Sequence, residues 1–148
     1  MRAIILVGYF LLFSAQCASK KSAINETLQD DSIAFVYKQY TRGFYREYHI
    51  KKNTITSYID YKKTSSETQK TIPMDWATCL ELLTALDLNA INALNAPSDL
   101  RRTDKVHHAE ITITIHPNTF RSSNFDHGNP PKAIKPLVDH LVYMITKD

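Results

Sequence analysis

The stretch His107–Phe125, HHAEITITIHPNTFRSSNF, decides how the rest of the chain is read. From 109 to 116 apolar and polar residues alternate without a break. Ala109, Ile111, Ile113 and Ile115 share one side, and Glu110, Thr112, Thr114 and His116 share the other. A period of two belongs to a strand with one buried and one wet face. Pro117 and Asn118 mark the turn of a hairpin. A sheet with one apolar face needs a second layer. That layer is predicted downstream, where Ile134, Leu137, Val138, Leu141, Val142 and Ile145 recur at helical spacing. The preceding HGNPPK marks the helix entrance, and Pro136 sets the regular helix to begin close to it.

Upstream, SIAFVYKQYT is β-branched and aromatic and reads as a strand, with Gly43 as the turn residue after it. FYREYHI places Phe44, Tyr48 and Ile50 opposite Tyr45, Glu47 and His49. After a turn at Asn53, TITSYIDYKK reads as a third strand with Ile55, Ile59 and Tyr61 on one face. Residues 62–71, KKTSSETQKT, are polar and read as a loop. IPMDWATCLELLTALDL then shifts to a helical period through Trp76, Leu80, Leu83 and Leu86, with Asp75 as the expected N-cap. Residues 88–105 read as an irregular connection. The order β-β-β-α-β-β-α predicts an α+β domain over 33–148, with an antiparallel sheet of about five strands and two helices on one face.

The N-terminus sets a different expectation. Residues 3–13, AIILVGYFLLF, are uncharged and follow Arg2. The run is too short to span a bilayer, which takes roughly 20 apolar residues, and fits the apolar core of a secretory signal over 1–16. SAQC, residues 14–17, resembles the lipobox of bacterial lipoproteins. In that family the signal is removed before the cysteine, which then carries acyl chains. The resemblance implies lipidation at Cys17, a polar tether over 17–32, and an address in the bacterial cell envelope, at the outer membrane or the periplasmic face. A plain secretory cut near Gln16 is the alternative that these residues leave open. Cys79 is the only other cysteine. It reads as a small buried apolar residue, with a Cys17–Cys79 disulfide as the competing pairing.

Removing residues 1–16 takes away only Arg2, leaving 17 Lys and Arg against 15 Asp and Glu over 132 residues. A net charge of +2 with no basic stripe does not point to nucleic acid. Only three glycines are present, and GxSxG, HExxH, paired-cysteine zinc and phosphate-loop motifs are missing from the sequence. The expectation is a protein that is not an enzyme and takes no cofactor. Six of eight tyrosines lie between 37 and 61, a concentration that suits a protein interface. The candidate partner-binding residues are Tyr45, Phe44, Asp126, His127 and Asn129, the last three from the strand-to-helix corner FDHGNPP. A small-ligand or metal site built on His116, Asp126 and His127 is the alternative, since a hairpin return lets His116 and His127 approach. His108 and His116 lie roughly 26 Å apart on a straight strand and cannot share an ion.

YTRGFYREYHI, WATCLELLTALDL and ITITIHPNTFRSSNFDHGNPPKAIKPLVDHL together resemble a small lipoprotein type of Bacteroidetes-like bacteria. More distantly, their order is similar to emfourin-like inhibitors of thermolysin-type metalloproteases. That family shares the aromatic-glycine opening strand, the Leu-rich middle helix, the late hairpin and a P-x-x-x-x-P-L helix start, here Pro131 to Leu137. The resemblance implies a non-catalytic, membrane-anchored protein-binding module, with a secreted protease as the class of partner. It carries over no inhibitory residue.

Overall fold

The computed structural model describes residues 30–147. A short 3-10 turn, Asp30–Ser32, leads into β1 (Ile33–Thr41), β2 (Phe44–Ile50), β3 (Thr54–Tyr58) and β4 (Ser66–Lys70). The helix α1 (Pro73–Thr84) follows, then 3-10 helices at Leu88–Ala93 and Leu100–Thr103. β5 (His108–Ile115), β6 (Asn118–Arg121), β7 (Phe125–Asp126) and α2 (Lys135–Thr146) complete the order. The class is α+β. One antiparallel sheet runs β4-β3-β2-β1-β5-β6, with β7 also paired to β5.

Period-two alternation sorts the sheet into two faces. Phe35 pairs with Ile50 and Ile113, and Tyr37 with Tyr48 and Ile111, on the face that α1 and α2 cover. Ile33, Phe35, Tyr37, Ile111 and Ile113 join Trp76, Cys79 and Leu83 of α1 and Leu137, Val138 and Leu141 of α2 in a single core. Phe35 meets the edge of Trp76, ring centres 5.7 Å apart. Cys79 is a free, buried thiol whose Sγ donates to Met144 Sδ at 3.4 Å. Burial, followed by the charge of Asp75, pushes its pKa up to about 12.

The sheet has seven strands rather than about five. Ser66–Lys70, expected as loop, is an edge strand whose residues are all exposed. It carries no apolar alternation because neither of its sides enters the core. The return strand of the late hairpin breaks in two at 122–124, where Ser122 Oγ accepts the Ile111 N–H at 3.1 Å. β3 ends at Tyr58, so Ile59 and Tyr61 leave the sheet and stand exposed. The cause is Asp60. Its carboxylate accepts from Thr64 N–H, Thr64 Oγ1 and Ser65 N–H, closing a turn over 60–65. Helix α1 is capped at Ile72 with Pro73 in its first turn, which places Asp75 inside the helix rather than at its cap. There its negative charge suits the helix N-terminus.

Truncating a filled core position leaves a cavity that the neighbours close only in part. Ile111→Ala and Leu141→Ala should each lower unfolding free energy by about 2–5 kcal/mol in urea titrations. Ile59→Ala, at an exposed turn position, should stay within about 0.5 kcal/mol.

Candidate functional site on the open sheet face

The face of the sheet turned away from the helices carries the second set of alternating residues. One row crosses four strands: Tyr58 on β3, Glu47 on β2, Lys38 on β1 and Glu110 on β5. Both glutamates are 4 % exposed, although no helix covers them. Lys38 stands between them, its Nζ 3.0 Å from Glu110 and 3.8 Å from Glu47. Arg121 on β6 donates to Glu110 from the other side.

Glu47 is the centre of the cluster. Its Oε2 accepts from the Tyr45 hydroxyl, and its Oε1 meets His49 Nε2 and, at 2.6 Å, Lys63 Nζ. Lys63 reaches it from the Asp60 turn, with its backbone in the left-handed region at φ 55°. Its ammonium also lies 5.3 Å from the centre of the Tyr58 ring. Tyr61 of the same turn packs on Tyr45, ring centres 4.2 Å apart. Burial alone would raise the Glu47 pKa. The hydrogen bonds from Lys63, Tyr45 and His49 and the charge of Lys63 outweigh it and hold the value at about 2. Burial, then the bond to Glu47 and the nearby negative charge, pushes the Tyr45 phenol well above its ordinary value. At neutral pH the carboxylate stays charged and the phenol stays protonated.

A second polar centre sits at one end of the sheet. Asp126 on β7 is buried and accepts from Ser98 Oγ at 2.6 Å, from the backbone N–H of Leu100 and Arg101 at 2.8 and 3.0 Å, and from Arg101 Nη1 at 2.9 Å. Burial opposes its charge, and these donors more than offset burial, so its pKa lies well below the usual carboxylate range. Asn129 donates to Ser98 Oγ at 2.8 Å, and Gly128, at φ 83°, makes the tight turn between Asp126 and Asn129. Nearby, the Tyr37 hydroxyl and His127 Nδ1 share a hydrogen bond at 2.7 Å. Phe44 stacks on His107 at 4.1 Å, and His107 lies 6.2 Å from His127. Burial, then the neighbouring His107, lowers the His127 pKa.

The five residues named as partner-binding from the sequence do not form one surface. Phe44 and His127 meet at the end of the helix-covered face, through His107 between them. Tyr45 is 8 % exposed on the opposite face, its hydroxyl committed to Glu47. Asp126 is committed to the Ser98–Arg101 segment, which it holds against β7. The structure does not bring His116, Asp126 and His127 together. β7 pairs His108 with Asp126, at the far end of β5 from His116, roughly 26 Å away. Among the described residues no three of His, Cys, Asp and Glu are grouped to hold a metal ion. Sequence reading missed Glu47, Lys38, Glu110, Lys63 and Arg121. The available signal was a lone glutamate among the Tyr, His and Thr residues that β2 and β5 each turn to that face.

The signal expected over 1–16 and the lipidation expected at Cys17 lie outside the described residues, as does the expected tether as far as residue 29; its last three residues, Asp30–Ser32, form the 3-10 turn. No described helix is long and apolar enough to cross a membrane. Searches against protein-family models, curated proteins and solved structures found no match.

The pKa directions fix the acid response. A depressed folded-state pKa gives stability that is present above the unfolded value and lost as pH falls. Glu47 should shed its contribution between about 4.5 and about 2, and the urea midpoint of Glu47→Gln should be flatter across that window. His127, lowered from 6.5, adds a limb of the same sign that begins near pH 6.5. His127→Gln should remove that limb and leave the Glu47 limb in place.

Proposed function

We propose that this chain is a non-catalytic protein-binding module, anchored at the bacterial envelope through lipid on Cys17, that engages its partner with the open face of its sheet. The observation that carries this reading is the uncovered face itself. Tyr58, Tyr61 and His49 gather around a carboxylate kept charged by its own neighbours. Aromatic groups with polar tips around a fixed charge suit recognition of a protein surface.

The titrating groups favour binding over catalysis. A general acid or base works best with a pKa near the operating pH. Glu47 is held at about 2 and Tyr45 is driven upward, so this pair does not exchange protons near neutrality. The Asp126 carboxylate is occupied by backbone and side-chain donors. The emfourin-like order of elements makes a secreted protease the first partner class to examine, and the lipobox resemblance supplies the anchor.

Two measurements test the reading. Affinity capture with the detergent-extracted full chain should retain one envelope or secreted protein that the Tyr58→Ala/Tyr61→Ala variant loses. Retention by that folded variant, or no capture by the native chain, overturns the assignment to this face. Intact mass of the extracted protein should correspond to a chain that starts at residue 17 and carries acyl groups. An unmodified Cys17 overturns the anchor.

A further inference from the structure

The turn over 60–65 places an ammonium on the open face in a way the fold itself does not require. The Lys63 side chain is 41 % exposed, whereas the Glu47 side chain beneath it is 5 % exposed. Residues 61–65 are all exposed, and none contributes to the core. Lifting this turn uncovers Glu47 Oε1 and the Tyr58 ring while the helix-covered side stays packed. Glu47 would keep the Tyr45 hydroxyl and His49, with Lys38 at 3.8 Å. The seat therefore survives the departure of its occupant.

We infer that Lys63 occupies, in cis, a recognition seat for a lysine side chain of the partner protein, formed by Glu47 Oε1 and the ring of Tyr58. This deepens the protein-binding reading and rests on it. The chemistry of the seat is displayed by the group that fills it. A compact cation meets one carboxylate oxygen at 2.6 Å and one aromatic ring at 5.3 Å, the combination that attracts an ammonium. The seat discriminates against arginine. A guanidinium binds best with two parallel N–H bonds to both carboxylate oxygens. Here Oε2 is engaged by Tyr45 and faces Lys38, so the fork finds one acceptor. Because Lys63 competes from the same chain, the seat's apparent affinity is reduced to its intrinsic affinity multiplied by the fraction of time the seat stands empty.

The probes are n-butylammonium chloride, n-butylguanidinium chloride and the peptide acetyl-Gly-Lys-Gly-amide, titrated into the full chain and followed by the tyrosine ring signals in NMR. Lys63→Ala should bind butylammonium and the lysyl peptide with Kd about tenfold below that of the native chain, and should favour ammonium over guanidinium. Lys63→Ala/Glu47→Gln should lose saturable binding. Equal response of native chain and Lys63→Ala, or saturation undiminished by the added Glu47→Gln substitution, overturns the seat. Binding of the free amine without the peptide overturns its assignment to a protein side chain. Should Lys63→Ala not fold, Lys63→Met keeps the aliphatic stem and is judged by the same comparisons. Should Glu47→Gln not fold, Tyr58→Leu replaces it, with an expected loss of about threefold from the missing ring. Capture of the partner is run beside the titrations. Capture without amine binding sinks the seat and leaves the protein-binding reading standing, whereas amine binding without capture does the reverse.

Discussion

Two carboxylates withdrawn from water on the two strands that flank a third would repel each other and favour their protonated forms, unless a cation stood between them. Lys38 is that cation. It belongs to β1, the strand between β2 and β5, so it faces Glu47 on one side and Glu110 on the other. The registers that set this row also set the core. Alternate residues of β1, Ile33, Phe35 and Tyr37, lie under the helices in the same pairing. A slip of one residue would turn Lys38 inward and Phe35 outward together. The open face and the buried core therefore enforce one register between them.

Around that row the molecule uses its charges in two ways. Asp126 is a knot. Backbone and side-chain donors converge on it, and the connection through Ser98–Arg101 is held against β7 as a result. Glu47 resembles it in having many donors, but one donor, Lys63, comes from an exposed turn with little else to do. Tyr37 and His127 show a third arrangement, a neutral pair. Burial keeps the phenol protonated, and its hydroxyl shares a hydrogen bond with the imidazole Nδ1. Like the two carboxylates, this imidazole carries an interaction whose strength falls with acidity.

The elements that were legible in the sequence are those with a local pattern. Isoleucine alternation over 109–115 marks β5 and its faces, and the spacing from Ile134 to Ile145 marks α2. Cys79 reads correctly as a core residue. What could not be read depends on pairing across distance. SETQK has no apolar period, and β3 alone makes it a strand by offering an open edge. A hairpin return would draw His116 and His127 together, but the pairing of Asp126 with His108 sends them to opposite ends. Glu47 and Glu110 are ordinary wet-face residues in their own segments, and only the three-strand register makes them a buried pair around Lys38.

The direction of β1 gives the molecule two poles. Its first residue, Ile33, pairs with Ile115, and Tyr40 pairs with His108, roughly 23 Å further along. Whatever joins the domain from before residue 30 arrives at the Ile33 pole. Gly43, Phe44, His107 and His127 gather at the other. A tether fastened at the first pole would leave the second facing outward, and the broad flank bearing Tyr58 and Tyr61 would lie sideways to the line of attachment, approachable by a neighbour standing on the same surface.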